Sequence, residues 1–359
     1  MSRKHFSWLL FLTFAVAGLV LIMPGKTGRE SGFEQSVFLP GAATKINDVE
    51  WLRLTTAGGV TIATLKREGT AWVVEEAFGY RADWQRLKTL LSGLSRAEVI
   101  EVKTARPEYY ERLGVEDVNS PEASGVMVEF SSDSGLPALI IGKNAQGRDG
   151  QYARLRDTAE SALINQRFDL STERSDWLDK NIVDISDAEV VEVEINHPDG
   201  ESVKVVKFSA DDENFVLQEI PDGKEIKSDW SVNALAGVLS ALALESVAPA
   251  DEFDWNDAIR FRLLTADGML LESDLLAVAG PADTGIEEET AEEEYWLRLQ
   301  AGLYTTAIDM AVAEADDTSA TITRAEVINK RVGGWAYRIP KYKFDTMSRR
   351  KDDLLQTAE

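Results

Sequence analysis

Hydrophobic and polar positions change rhythm once, early, along this chain. Phe6 to Met23 is an apolar run without a charge, and beyond Thr44 apolar residues come in short alternating or helical patterns. As a helix the run would be about 27 Å long at 1.5 Å per residue, close to the ~30 Å hydrocarbon core of a bilayer. Arg3, Lys4 and His5 precede it; Pro24, Gly25 and Lys26 close it. A cleaved signal peptide needs a small-x-small site past its apolar region. Ala15-Val16-Ala17 has that composition but lies inside the run. The pattern therefore predicts a transmembrane anchor over 6–23, a cytoplasmic stub over 1–5 and a linker over 24–44. Arg3 and Lys4 favour an inward N-terminus, which places the body in the periplasm, held on the bacterial inner membrane.

The body reads as a duplication. Asn47-Asp48-Val49-Glu50 leads into Trp51 to Leu54, and Ser186-Asp187-Ala188-Glu189 leads into Val190 to Val193. Gly58-Gly59 turns the first strand into Val60 to Leu65, and Pro198-Asp199-Gly200 turns the second into Val203 to Phe208. Third strands follow at Trp72-Val73-Val74 and Phe215-Val216-Leu217. Asp83-Trp84 then opens a helical period with Leu87, Leu90, Leu91 and Leu94; Asp229-Trp230 opens another with Leu235, Val238, Leu239 and Leu242. Val126 to Phe130, Leu139 to Gly142 and Tyr152 to Leu155 correspond to Phe261 to Leu264, Leu275 to Val278 and Tyr295 to Leu299. The expectation is α+β: after the anchor, two tandem homologous domains of mainly antiparallel sheet with packed helices, at 45–184 and 185–359.

Composition narrows the function classes. The 359 residues carry 38 basic and 62 acidic side chains, a formal charge of −24. That excludes a phosphate-backbone reader, so no nucleic acid is expected. No cysteine is present, so disulfides and thiolate metal sites are excluded. The only histidines are His5, at the membrane edge, and His197, in the turn sequence Asn196-His197-Pro198-Asp199-Gly200. A histidine-based triad is excluded with them. Ser92-Gly93 and Gly58-Gly59 lack the lysine and the strand-to-helix setting of a phosphate loop, so no nucleotide site is expected. No residue is assigned a catalytic, cofactor-binding or metal-ligating role.

The order and spacing of several short segments resemble the domain of unknown function 4340 family of bacterial envelope proteins. They are Trp72-Val73-Val74, Tyr80-Arg81-Ala82-Asp83, Leu113-Gly114-Val115 with Pro121, Ile140-Ile141-Gly142-Lys143, Tyr152-Ala153-Arg154 and Trp177-Leu178-Asp179-Lys180. The resemblance implies one N-terminal anchor, a tandem extracytoplasmic body and an association with gliding-type ABC transporter components. It implies no catalytic residues. Phe253-Asp254-Trp255 stands in the second unit where the first has its Leu-Gly segment.

Three further features are weighed. The acidic run Glu287 to Glu294 lacks the interleaved ligands and central glycine of a calcium loop, which favours a solvated loop over a cation site. Trp72, Trp84 and Trp230 are expected in the core rather than on a sugar-stacking face. The aromatic and basic tail Trp335 to Phe344, with Arg349, Arg350 and Lys351, is expected as a last strand that neutralises the acidic body, with partner docking as the alternative. The function expected is a membrane-anchored accessory or scaffold protein partnering an ABC-type permease or another envelope protein. An envelope glycan hydrolase and a glycan-binding module are the alternatives.

Overall fold

The computed structural model describes residues 36–209, 212–280, 292–304 and 315–358. The first ten strands are β1 (Ser36–Val37), β2 (Trp51–Thr56), β3 (Val60–Glu68), β4 (Ala71–Val74), β5 (Tyr80–Arg81), β6 (Glu98–Val102), β7 (Val126–Phe130), β8 (Leu139–Asn144), β9 (Gln151–Leu155) and β10 (Ser161–Ile164). The described residues form two compact units, one from 36–64 with 85–172, the other from those within 65–84 and 173–358. Phe38, Leu39 and Ala42, in the stretch read as linker, are buried.

The first unit is an antiparallel sheet in the order β1-β6-β10-β9-β8-β7-β2-β3. Helix α1 (Trp84–Ser95) buries Leu87, Leu90 and Leu94, the period expected of an amphipathic helix. Three of the short segments singled out in the sequence meet in this unit. Gly114 ends the helical turn Tyr110–Leu113 at φ +69°, a conformation glycine adopts without strain. Its backbone then lies against Gly142 of β8, where a Cβ would sit 2.3 Å from the Leu113 carbonyl oxygen. Arg154 of β9 is buried over the Tyr110 ring at 4.7 Å. Its Nε–H donates to the Val115 carbonyl at 2.9 Å. Glycine, tyrosine and arginine are thus needed together.

The second unit continues with β11 (Asn181–Val183), β12 (Val190–Asn196), β13 (Ser202–Val206), β14 (Val216–Leu217), β15 (Lys224–Ile226), β16 (Leu242–Ala243), β17 (Ser246–Pro249), β18 (Ile259–Thr265), β19 (Met269–Ala279), β20 (Glu293–Leu303), β21 (Trp335–Arg338) and β22 (Leu355–Thr357). Its main sheet runs β14-β13-β12-β18-β19-β20-β21-β17. Strand for strand, β17-β21-β20-β19-β18-β12-β13 repeats the order β6-β10-β9-β8-β7-β2-β3 of the first unit. Between β20 and β21 the second unit carries a long helix, whereas β9 and β10 are joined by a short turn.

The expected class, α+β led by a single transmembrane helix, is corrected. The described residues are mostly antiparallel strand, and only two of their helices exceed seven residues. Among the described residues no helix is long and apolar enough to cross a membrane. The run 6–23 itself lies outside them. The helix expected from Asp229 to Leu242 is also absent as one piece. Ser228, not Asp229, caps α2 (Asp229–Asn233), accepting from the Ser231 N–H at 3.2 Å. The Asn233 side chain is turned sideways to accept from the Phe215 N–H, and a 3-10 turn follows over Ala236–Leu239. Gly237 inside that stretch disfavours helix by about 1 kcal/mol relative to alanine, so the apolar residues are buried without a continuous helix.

The backbone contact at Gly142 yields a stability prediction. Gly142→Ala forces apart Gly142 and the Leu113 carbonyl, at a cost of roughly 1–3 kcal/mol in denaturant unfolding. Gly302→Ala, whose Cβ meets nothing within 4 Å, stays within about 0.5 kcal/mol of the parent.

Candidate functional site

Two more of the singled-out segments pair with each other in the second unit. The Asp83 N–H donates to the Trp177 carbonyl at 2.8 Å, and the Asp179 N–H to the Arg81 carbonyl at 3.0 Å. Ala82 and Leu178 bridge between them. This pairing sets Tyr80 and Arg81 beside Asp179. Asp179 then receives Arg81 at 3.4 Å and Arg331 at 2.8 Å. Arg331 ends α3 (Ala315–Val332), where the helix dipole favours a cation. Arg81 in turn donates to the Arg331 carbonyl and to the Tyr80 hydroxyl at 3.0 Å.

Below this ion pair lies an aromatic group. Tyr80 is wholly buried and meets Trp335 edge-on at 5.1 Å and Tyr337 at 6.0 Å between ring centres. The Tyr80 hydroxyl donates to the Asp179 carbonyl at 3.2 Å. Burial raises the pKa of the Tyr80 hydroxyl, opposed by the charge of Arg81. Burial raises that of Tyr337 as well, with Tyr80 adding to it. Among the described residues the buried Tyr337 hydroxyl has no partner in hydrogen-bond geometry. Both tyrosines are held neutral, and the single carboxylate is shared by two guanidiniums. Chemically this is a clasp that fixes backbone segments, not a poised acid or base.

Beside the clasp runs an open apolar cleft of about 620 Å³, walled by α3 and by the segment from β11 to Ile185. Ala320, Thr323, Val327 and Ile328 line the helix side; Ile182 and Ile185 line the other. Val327 is 64% exposed at its centre. Arg324 stands at the rim, tied to Glu189 at 2.6 Å.

A second cleft, about 700 Å³, lies along β18, β19 and β20. Register places Arg262 between Glu194 and Glu272, and Asp274 between Arg260 and Arg298. Opposite charges alternate across the strands, the arrangement that favours cross-strand pairing. Arg262 reaches Glu194 at 3.1 Å and Glu272 at 3.3 Å.

The residues named from sequence fall in several places. His197 is buried in its turn, its Nε2 3.3 Å from the Arg349 carbonyl. Trp84 and Trp230 are not in the core: they are 50% and 75% exposed. Each stands in the first turn of its helix. Glu287 to Ala291 lie outside the described residues, whereas Glu294 belongs to β20 and accepts from Arg338 at 2.8 Å. The basic tail is spent within the chain. Trp335–Arg338 forms β21 between β20 and β17, and α4 (Lys341–Met347) follows Pro340. Lys343 donates to the Val238 and Ser240 carbonyls. Arg350 pairs with Asp199 at 2.8 Å and with Glu201. No His, Asp and Glu cluster able to hold a metal ion occurs among the described residues. Sequence reasoning missed α3 and hence the apolar cleft. The signal was present in Thr321, Ala325, Ile328 and Val332, spaced at helical intervals.

Two expected outcomes follow. Asp179→Ala leaves Arg81 and Arg331 facing each other and lowers stability by roughly 1–3 kcal/mol, a range that allows for their one-third exposure. Asp179→Ala combined with Arg331→Ala costs less than the sum of the two, as a double-mutant cycle will show. The second outcome concerns pH. Burial opposes ionisation of Glu201, but the Lys351 N–H and Arg350 outweigh it and hold its pKa below the ordinary 4.5. The Glu201 N–H and Arg350 hold Asp199 below its ordinary 3.8. Depressed carboxylate pKa values stabilise the folded state above the unfolded pKa, and that stability disappears as pH falls through the folded pKa. Hydrogen exchange over 349–357 therefore accelerates as pH drops below about 4.5, after correction for intrinsic exchange, and Arg350→Ala weakens the pH dependence without abolishing it, because the Lys351 and Glu201 N–H groups remain.

No curated protein and no solved structure matches the chain. A family profile does: that of a domain of unknown function, DUF4340, over residues 72–256. The matched stretch takes in most of β4, Tyr80-Arg81, the Gly114–Gly142 contact, Arg154 and Asp179, whereas Arg331, Trp335 and Tyr337 of the second cluster lie beyond it. It is more than half of the chain, which therefore belongs to the DUF4340 family.

Proposed function

We propose that this chain is a membrane-held accessory protein of the bacterial envelope that works by binding an ABC-type permease complex, and not by catalysis. The observation that carries the reading is the apolar cleft along α3. A sizeable apolar cleft with a few polar groups at its rim is the default binding site of a structure, and Val327 is offered to solvent along it. The neighbouring charged groups are engaged with one another, which leaves apolar contact as the cleft's main offering. The occupant is an apolar segment of the permease. The uncharged run 6–23 supports this, because a tether to the inner membrane raises the effective concentration of the periplasmic body toward other membrane proteins. The chain has no phosphate loop, so energy from nucleotide hydrolysis would come from the partner.

The test is made in cells with the full chain. Val327→Asp should cut the amount of ABC permease that co-purifies by about tenfold, a loss of ~1.4 kcal/mol, at unchanged membrane level and unfolding midpoint. Lys330→Ala, exposed on the same helix outside the cleft, should leave it unchanged. Full retention of the permease and full complementation by Val327→Asp sink the reading, as does hydrolysis of an envelope glycan by the purified chain.

A further inference from the structure

The charged cleft on β18, β19 and β20 has features that sheet stability does not require. Arg298 is fixed three ways. Its Nε–H and Nη2–H donate to Asp274 Oδ2 at 2.8 and 2.7 Å. Its guanidinium lies 4.8 Å over the ring of Trp255. Trp255 is itself anchored, its Nε1–H donating to the Ala250 carbonyl at 2.8 Å. Exposed ion pairs rarely hold a long side chain so firmly, since the entropy cost cancels most of the gain. The other oxygen of Asp274, Oδ1, is 3.7 Å from Arg260 Nε, beyond hydrogen-bond length, and the Arg260 side chain is 75% exposed. Next to them Gln300 donates to Glu272 at 3.0 Å. Trp335 and the Gly333-Gly334 backbone border the same cleft.

We propose that this cleft binds a neutral oligosaccharide. Three guanidiniums, Arg260, Arg262 and Arg298, line it with Glu272 and Asp274, and Glu194 on the neighbouring strand pairs with Arg262 and supplies the third carboxylate. The charges cancel, so an ionic ligand finds no net field to recognise it. What the surface does present is planar donors and acceptors at fixed spacing. Adjacent hydroxyls of a sugar both donate and accept, and they match such pairs. Trp335, partly exposed at the border, suits the apolar C–H side of a sugar ring. A cleft of about 700 Å³ lies within the range of small-ligand sites. This reading is independent of the permease contact at α3.

The experiment titrates the purified full chain with maltotriose and with N,N′,N″-triacetylchitotriose, followed by calorimetry or by tryptophan fluorescence. Saturable binding of at least one in the millimolar range or tighter is expected. Asp274→Asn should weaken it at least about tenfold and Lys330→Ala should not change it. If Asp274→Asn shifts the unfolding midpoint, Gln300→Ala, on an exposed side chain, takes its place with the same expectation. No saturation by either sugar up to about 20 mM overturns the proposal. So does binding that both cleft variants leave intact, or binding of a sulfated oligosaccharide alone.

Discussion

The second unit depends on one register. Antiparallel pairing sets Phe261 opposite Ser273 and Ser273 opposite Leu299, while Arg260, Asp274 and Arg298 form the neighbouring row. Because side chains alternate along a strand, a slip of one residue would turn every one of these to the other face. The apolar row would meet water and the guanidiniums would enter the core. Burying an unpaired charge costs far more than any exposed ion pair returns. The charged ladder is therefore a consequence of the core as much as a contributor to stability, and the cleft it lines exists because the register is enforced from the buried side. The same register sets Leu297 opposite Tyr337, and with it the aromatic floor under Arg81, Asp179 and Arg331.

The family's sequence pattern becomes intelligible as two closures. In the first unit a left-handed glycine, a close-packed glycine and a buried arginine join the Tyr110–Leu113 turn to β8 and β9. In the second unit Tyr80-Arg81-Ala82-Asp83 and Trp177-Leu178-Asp179-Lys180 pair by backbone hydrogen bonds, and Asp179 takes two arginines. Neither closure offers an open reactive group. The open surfaces are elsewhere, along α3 and along the outer rows of β18, β19 and β20. The family profile ends at residue 256, before α3 and these strands, and takes in only the 181–185 wall of the apolar cleft.

Much of the strand pattern was legible because alternation of β-branched and polar residues is a strong local signal. The strands expected over Trp51 to Leu54, Val126 to Phe130 and Val190 to Val193 appear as Trp51–Thr56, Val126–Phe130 and Val190–Asn196. The tail was also legible: its cations face the acids of its own unit. The helix after Asp229 was misread because apolar spacing alone does not reveal that Ser228 and Asn233 engage neighbouring backbone. Helix α3 was missed because its buried stripe, Thr321, Ala325 and Val332, is made of small residues that give a faint apolar signal, two of them β-branched with weak helical preference. The two exposed tryptophans were misplaced for a related reason. Trp84 is three residues before Leu87, so spacing places it beside the stripe, yet as the first residue of α1 it stays half exposed: spacing does not show what the end of a helix packs against. The candidate cleft at β18 was illegible outright. It is made by register across strands far apart in sequence, which no single run of residues displays.

Charge ties these parts together. The chain carries 24 more acids than bases, yet its arginines and lysines are drawn into internal contacts: Arg81 and Arg331 on Asp179, Arg338 on Glu294, Arg350 on Glu201, Lys343 on backbone carbonyls. Cations committed in this way have little left to offer an external anion. The outward field is consequently acidic, and a field of that sign repels anionic headgroups within a Debye length, about 8 Å at physiological salt. On the proposed tethered arrangement, that field would hold the body off the lipid surface. Recognition must pass through patches where the net field is locally weak. Among the described residues, the apolar cleft of α3 and the charge-balanced cleft of β18 to β20 are two such patches, surfaces that neither attract ions nor repel a neutral partner.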